Sequence, residues 1–165
     1  MIVLPADATD EQIKQLVIDW IAVVAEERYE EALGMLYQGN INPFWDSADP
    51  DGQRWTPELL RLAIASEGCL DESVDQGYRA APVTAKVEKS FAEYYRFDWL
   101  SEEYPHFGEY TIVDYAGIIH CDLPLTNPDP KLDYTEDFVS SLTLRMFVRR
   151  VLSGLALELS MIHCM

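Results

Sequence analysis

Positively charged residues are scarce in this sequence relative to negatively charged ones. Against 29 aspartates and glutamates it carries 12 lysines and arginines, which gives a formal net charge of −17. Such a surface repels phosphate backbones and anionic lipid heads, so the composition argues against nucleic-acid binding and against membrane binding. The same charge would attract a basic protein or a cationic ligand, although solubility alone also accounts for it.

Cysteine and long apolar runs are scarce as well. Cys69, Cys121 and Cys164 are odd in number and widely spaced, which disfavours a disulfide framework. No stretch is long and apolar enough to cross a membrane, and residues 1–5 are too short for a signal-peptide core. We therefore expect a reduced, cytoplasmic setting, and we expect no cofactor.

The length and the hydrophobic content fit one domain spanning residues 1–165. With 165 residues and 48% hydrophobic residues the chain can bury a sizeable core. It contains no internal repeat, no linker and no low-complexity tract.

The C-terminal stretch, residues 142–164, carries the clearest structural signal. Apolar residues alternate with polar ones on both sides of Ser153-Gly154, which predicts a long β-hairpin with one buried face. A turn centred on Ser153-Gly154 would place Arg149 opposite Glu158 on the outer face. Such a hairpin needs another element laid over its apolar face.

The N-terminal third supplies that cover. Thr9 and Gln12 form a capping-box pattern, and residues 13–25 then read as a helix that is apolar on most sides. A second helix begins near Tyr29 and is expected to end at Gly39. A third helix should begin at Pro57, with Thr56 as its N-cap.

The middle of the chain gives weaker patterns. A strand is expected from Val83 to Val87, and residues 94–99 read as a strand with a helix as the alternative. Residues 109–123 predict a further β segment, in which Gly117 marks a bulge or bend.

Helices followed by a curved antiparallel sheet give an α+β fold, and this layout resembles the NTF2-like (cystatin-like, SnoaL-like) superfamily. The resemblance is carried by the buried helix 13–25, by residues 29–36 and by the long terminal hairpin. It implies a cone with a pocket between sheet and helices, and often a dimer. It implies no particular reaction, because this fold hosts enzymes and binding modules alike.

Polar residues of the 109–123 segment are the candidates for chemistry in such a cone. Asp114, His120 and Asp122 could act as an acid or base if an apolar pocket shifted their pKa values. The predicted ligand-binding residues are Trp20, Tyr115, His120 and His163. The alternative is that these residues are rim carboxylates and hydrogen-bonded core histidines.

Two His-Cys pairs, His120-Cys121 and His163-Cys164, raise the question of a metal. If their strands were adjacent, like residues could converge, but a zinc site needs three or four ligands. Ordinary core residues are the favoured interpretation, and we expect no metal.

An interaction surface is the other possibility. Phe147 interrupts the polar alternation of the hairpin's outer face, so a homodimer could form through Phe147, Arg145 and Ile162. Aromatic residues in loops and outer strands could be partner anchors or core filling; they are Phe44, Trp45, Trp55, Tyr94, Tyr95, Trp99 and Tyr104.

Two functions follow from these patterns. The preferred one is a non-catalytic binding or interaction protein of the immunity type, whose acidic surface meets a basic partner; a small apolar ligand in the cone is a further possibility. The alternative is a small-molecule isomerase or hydratase that uses Asp114, His120 or Asp122 in the cone pocket.

Overall fold

The described part of the chain is an α+β structure. The computed structural model describes residues 1–39, 54–66, 75–84, 87–100, 106–107, 110–111, 115–126 and 142–164. The helices in these ranges are α1 (Asp10–Ala25), α2 (Tyr29–Met35), α3 (Pro57–Ala65) and α4 (Glu88–Tyr94). None of them is both long and apolar enough to cross a membrane.

The strands are mostly short, apart from three in the C-terminal half. They are β1 (Arg79–Ala80), β2 (Arg96–Trp99), β3 (His106–Phe107), β4 (Tyr110–Thr111), β5 (Tyr115–Asp122), β6 (Leu125–Thr126), β7 (Leu142–Val151) and β8 (Gly154–Cys164). The principal sheet is antiparallel with the order β2-β5-β7-β8, while β1 pairs with β6 and β3 with β4. The C-terminal hairpin is therefore confirmed.

The helix α1 begins as the sequence predicts. The Thr9 hydroxyl oxygen accepts from the Gln12 backbone N–H, and the Gln12 side-chain oxygen accepts from the Thr9 backbone N–H, so the capping box is complete. The apolar residues of α1 and the inner residues of the sheet belong to one hydrophobic cluster. The members from the two sides are Ile13, Leu16, Val17, Trp20, Ile21 and Val24 of α1, and Leu142, Leu144, Met146, Val148, Leu155, Leu157, Leu159 and Ile162 of the hairpin.

The helix α2 packs beside α1 through a buried indole. The Trp20 side chain is fully buried, and its Nε1–H donates to the Ala32 carbonyl at 3.0 Å. The prediction that α2 continues to Gly39 is wrong, because the helix ends at Met35 and the backbone at Leu36 is extended. This change frees the Tyr37 amide to reach the sheet, as described below.

The hairpin register differs from the expected one. Val151 pairs with Gly154 across a turn at Leu152-Ser153, so the turn is not centred on Ser153-Gly154. Gly154 is instead required where the N-terminal segment approaches. Its φ is +148°, and a Cβ there would lie 2.0 Å from the Leu4 carbonyl oxygen.

Two β-bulges decide which side chains face the helices. In β8 the register shifts between Met146↔Leu159 and Arg145↔Met161, so Ser160 is an extra residue. Ile162 therefore turns into the core, where it is 1% exposed, and its predicted place on the outer face is wrong. In β5 the bulge between Tyr115 and Gly117 confirms the predicted irregularity at Gly117.

The open edge of β8 is closed by three N-terminal segments. Leu4 and Leu155 exchange reciprocal backbone hydrogen bonds of 2.8 and 2.9 Å. The Tyr37 amide donates to the Leu157 carbonyl at 2.7 Å, and the Trp55 indole donates to the Leu159 carbonyl at 3.1 Å. Successive outward carbonyls of the edge strand are thus paired, which removes a template for edge-to-edge association.

The prediction from the sequence is least accurate for the region before β5. Val83 lies in irregular structure and Val87 precedes α4, so the described residues do not form the strand expected from Val83 to Val87. Residues 88–94 are helical, and the strand β2 begins only at Arg96. The fully buried Phe91 accounts for the helix, since it packs into the main core.

Replacing Trp20 by Phe tests the contact between the first two helices. Trp20→Phe leaves the buried Ala32 carbonyl without its donor, and we expect the free energy of unfolding to fall by about 1–3 kcal/mol. The matched control is Trp99→Phe, because the half-exposed Trp99 also donates its indole N–H, to Asp10 at 2.9 Å. That control should stay within about 0.5 kcal/mol of wild type in urea unfolding. Equal losses for the two variants would contradict the assigned role of Trp20.

Candidate functional site

The outer face of the sheet divides into two clusters. Near the hairpin turn, Tyr115, Ile118 and Phe147 form a small apolar group, joined by Leu100. Toward the other end lies a group we call the outer polar cluster, which comprises His120, Asp122, Thr143, Arg145 and His163. The strand register places the clusters, because β5 pairs with β7 and β7 pairs with β8.

The outer polar cluster consists of two cross-strand rows. In one row Asp122 lies opposite Thr143, and Thr143 lies opposite His163. In the other row Arg96 lies opposite His120, and His120 lies opposite Arg145. Directly opposite residues have Cβ atoms about 4.5–5.5 Å apart, so each row brings its side chains within contact range.

Asp122 and Thr143 are two polar residues that the fold buries. Asp122 is 7% exposed and Thr143 is 8% exposed. The Thr143 hydroxyl has no hydrogen-bond partner among the described residues. Burial raises the pKa of Asp122 above its usual value of 3.8. Burial penalises the charged form of a carboxylate, so it favours the protonated form of Asp122.

His120 has the opposite shift. Burial lowers the pKa of His120 below its usual value of 6.5, and the positive charges of Arg145 and Arg96 lower it further. Asp98 acts in the other direction, and His163 adds to the lowering. At neutral pH the half-buried imidazole is therefore neutral and can accept a hydrogen bond as well as donate one.

The ion pair between Arg149 and Glu158 anchors the other end of the outer face. The Arg149 guanidinium contacts the Glu158 carboxylate at 3.0 Å, and the two side chains are 20% and 2% exposed. The same guanidinium lies over the Tyr37 ring at 4.3 Å and donates to the Tyr115 hydroxyl at 3.3 Å. The predicted pairing of Arg149 with Glu158 exists, although the register makes it diagonal and it is buried instead of solvent-exposed.

The structure brings some predicted site residues together and separates others. Tyr115, His120, Asp122 and His163 share the outer face, because the bulge after Tyr115 reverses the alternation before His120. Trp20 is on the opposite side of the sheet and fully enclosed in the core, so it lines no open pocket. Asp114 lies outside the described residues.

The acid and base candidates therefore do not face the helices. His120 lies on the outer face, whereas its neighbours Ile119 and Cys121 are in the main core. The expectation that His120 and Asp122 point into a space between the sheet and α1 is wrong for this reason.

The described residues do not form a metal site. No three or more His, Cys, Asp or Glu side chains within the described ranges are grouped so that they could hold an ion. The strands that carry the two His-Cys pairs are separated by β7, so the pairs are not cross-strand neighbours. Cys121 is buried in the core, and burial raises the pKa of its thiol.

The residues predicted to form a dimer interface or to anchor a partner differ in how far they are buried. Phe147 lies on the outer face but is almost fully buried within its own chain, and Arg145 is half-buried beside Met161. Of the aromatic residues, Trp55 is core and Tyr95 is partly buried, whereas Tyr94 and Trp99 are exposed. Phe44, Trp45 and Tyr104 lie outside the described part of the chain.

A second candidate surface lies at the junction of α1 and α2. An open depression there is lined by Glu27, Arg28, Tyr29, Glu30, Glu31 and Pro57. We call Glu26, Glu27, Glu30 and Glu31 the acidic turn. The sequence analysis missed it, although the run of glutamates from 26 to 31 is the signal that could have found it.

The charges of the acidic turn are only partly neutralised. Arg28 bridges Glu26 and Glu31, and Arg79 contacts Glu27 at 3.3 Å. Among the described residues, Glu30 has no ion-pair partner. The α1 helix ends here with no basic residue in its last turn, so its negative dipole end adds to the carboxylate charges.

Comparison with protein-family models, with curated proteins and with solved structures finds no match for this chain. The resemblance to the NTF2-like superfamily accordingly stays a prediction. Function has to be argued from the two surfaces themselves.

The buried ion pair can be tested against an exposed one. Arg149→Met removes the Arg149 ion pair from the buried Glu158 carboxylate, and we expect a loss of about 3–5 kcal/mol in the free energy of unfolding. Arg28→Met breaks a pair whose side chains are 49% and 62% exposed. It should cost no more than about 1 kcal/mol. Similar losses in denaturant unfolding would show that burial does not set the strength of the Arg149 pair.

The buried carboxylate of Asp122 leads to a prediction about how stability depends on pH. The pKa of Asp122 is higher in the folded state than in the unfolded state. The contribution of Asp122 to the free energy of unfolding is therefore most favourable below pH 3.8, and it is lost as the pH rises through the folded-state pKa. Asp122→Asn should therefore raise the melting temperature at about pH 7 and leave it nearly unchanged at about pH 3. Calorimetry at several pH values measures both. A gain that does not depend on pH would contradict a charged, buried Asp122.

Proposed function

We propose that the protein is a non-catalytic binding protein whose acidic turn receives cationic groups of a basic partner. The observation that carries this proposal is the presence of Glu26 and Glu27 at the C-terminal end of α1, a position where helices normally place lysine or arginine. The negative end of the α1 dipole and these two side chains add negative potential at one place, and Glu30 and Glu31 follow in the first turn of α2. A bound cation would meet both.

The backbone at the acidic turn supports the same conclusion. Glu27 has a φ of 58°, the left-handed conformation that glycine adopts without cost. A residue other than glycine is uncommon in this conformation. A role of the Glu27 carboxylate in binding would explain why a glutamate occupies the position. Glu30 lies nearby in the first turn of α2, exposed and without an ion-pair partner in the described part of the chain.

The net charge of −17 supports the proposal through long-range electrostatic attraction. Complementary charge steers diffusional encounter and raises the association rate, while contacts at the docking surface set the lifetime of the complex. An inhibitory protein of the immunity type uses charge in this way, which is why that role remains our preferred interpretation. The partner would present lysine or arginine side chains to the depression.

An acid–base enzyme is the second candidate, and it is favoured by one observation. Asp122 and His120 lie two residues apart on one face with pKa values shifted in opposite directions, as catalytic acid and base pairs are. The placement of the pair away from the helices removes the cone pocket as its active site. An NMR titration decides: a His120 pKa at or above 6.5 with free exchange would remove this candidate.

Charge removal at the acidic turn tests the preferred function. The variant Glu27→Gln/Glu30→Gln should weaken binding of an acetylated, amidated lysine hexapeptide about tenfold, because two ion pairs worth up to about 1 kcal/mol each are lost. Calorimetric titration at low salt measures the affinity, and amide NMR shifts show where the peptide lies.

The matched control removes two charges at the other end of α1. Asp7→Asn/Glu11→Gln changes the net charge by the same amount, at exposed residues remote from the acidic turn. It should weaken the hexapeptide no more than about twofold, because distant exposed charges are largely screened. Equal weakening by both variants, with shifts spread over the whole surface, would mean unspecific attraction and would overturn the proposal.

A further inference from the structure

The depression at the acidic turn contains a polar side chain that the fold buries. Tyr29 is the first residue of α2 and lines the depression, yet it is only 9% exposed. Its hydroxyl makes no hydrogen bond to another residue in the described part of the chain. Because a buried polar group normally has a partner, a ligand in the depression would account for this hydroxyl.

The Tyr29 hydroxyl is protonated at neutral pH. Burial raises the pKa of Tyr29 above its usual value of 10.0, and the negative charge of Glu27 raises it further, whereas Arg79 and Arg61 act in the other direction. A protonated phenol can still accept a hydrogen bond, because its oxygen keeps its lone pairs. A cation with N–H groups is the donor that suits an acceptor placed among carboxylates.

The chain itself shows how a guanidinium fits the acidic turn. Arg28 bridges the carboxylates of Glu26 and Glu31 and uses different nitrogens for the two. The remaining two carboxylates are less occupied. Glu27 makes a single ion pair at 3.3 Å, and Glu30 is exposed without an ion-pair partner among the described residues. Oxygen atoms of Glu27 and Glu30 are therefore available to a second guanidinium.

We propose that the depression receives an arginine side chain of the basic partner, in preference to a lysine. The guanidinium would bridge Glu27 and Glu30 and donate to the Tyr29 hydroxyl, with its methylene groups against Pro57. All four residues line the depression. A preference for arginine rests on the function proposed above, because it describes the side chain that the partner places at the acidic turn.

Arginine suits this set of acceptors better than lysine does. A guanidinium is planar and presents five N–H donors in a fork, whereas an ammonium is a compact charge with three donors. Contacts with two carboxylates and a hydroxyl need donors that point in separate directions, which favours the wider group. A guanidinium is also less strongly hydrated, so it loses less on contact with the ring of the exposed Pro57.

Other cations fit the depression less well. A metal ion is disfavoured because the described residues contain no group of three His, Cys, Asp or Glu side chains that could hold one. Quaternary ammonium groups are bound by cages of several aromatic rings. Tyr29 is the only aromatic residue among the described residues that line the depression.

The preference is tested with acetylated, amidated hexaarginine and with the hexalysine peptide used above, which has the same charge and length. Calorimetric titration of the full chain at low salt measures both affinities, and amide NMR shifts at residues 26–31 show where each peptide lies. We expect hexaarginine to bind about tenfold more tightly, the effect of about one additional hydrogen bond to a charged group.

The outcomes distinguish the two proposals. Equal affinities, with hexalysine bound at residues 26–31, would overturn the preference for arginine and leave the proposed function standing. Hexalysine that shifts no amide at residues 26–31 would contradict the proposed function, and the arginine site with it.

Tyr29→Phe tests the part played by the hydroxyl, because it keeps the buried ring. We expect the affinity for hexaarginine to fall about tenfold, to that of hexalysine, and the affinity for hexalysine to change less than about twofold. The matched control is Tyr94→Phe, at an exposed tyrosine of α4, which should leave both affinities unchanged. A preference for arginine that survives in Tyr29→Phe would reflect general attraction to guanidinium groups and would overturn the proposal.

Glu30→Gln gives a second readout at an exposed position on which the core does not depend. It removes one of the two carboxylates that the guanidinium would bridge. We expect hexaarginine to bind about tenfold more weakly and hexalysine about threefold more weakly, because a guanidinium makes two parallel hydrogen bonds to a carboxylate. Equal weakening of the two peptides would contradict the bridging arrangement.

Discussion

The burial of one apolar face of the β7–β8 hairpin against α1 is the interaction on which the remaining structure depends. The sheet and the helix share a single hydrophobic cluster, and neither could keep its apolar side in water. A hairpin of two strands is at best marginally stable alone, so this contact supplies most of what holds the C-terminal strands in place. Because the inner face of the sheet is buried in the core that it shares with α1, polar groups lie on the outer face.

This commitment also explains why the molecule has two electrostatically different surfaces. The helices have their apolar sides inward and leave acidic residues outside, and the acidic turn lies where α1 gives way to α2. The outer face of the sheet instead carries both signs of charge, since Arg96 pairs with Asp98 at 2.8 Å and Arg145 lies in the same row as Arg96. The two surfaces lie on different elements, so each can be changed without the other.

Local sequence pattern predicts the parts of this fold that are decided locally. The capping box at Thr9, the N-cap at Thr56 and the alternation along β7 depend on neighbours in the chain, and all three are present. The bulge at Gly117 is likewise announced by a residue that fits poorly in a strand. The acid and base candidates His120 and Asp122 were found by type and share a face by simple alternation, whereas Tyr115 joins them on that face only because of the bulge.

The missed features depend on contacts between distant residues. The position of the hairpin turn follows from the approach of Leu4 to Gly154, and no local pattern around Ser153 contains that information. The Ser160 bulge has no glycine to mark it, so alternation placed Ile162 on the wrong face. The helix α4 is favoured by the burial of Phe91, a tertiary effect that overrides the strand-like aromatic pattern around it.

The N-terminal part of the chain is held by C-terminal strands, as in the hydrogen bonds between Leu4 and Leu155, and this order has a consequence for biosynthesis. The helix α1 emerges from the ribosome long before β7 and β8, yet those strands form much of the surface that covers its apolar residues. Throughout that interval the nascent chain presents Ile13, Trp20 and Ile21 without their final contacts. Such a chain depends on late, long-range closure, so we expect its maturation in cells to need the protection that chaperones give to exposed apolar segments.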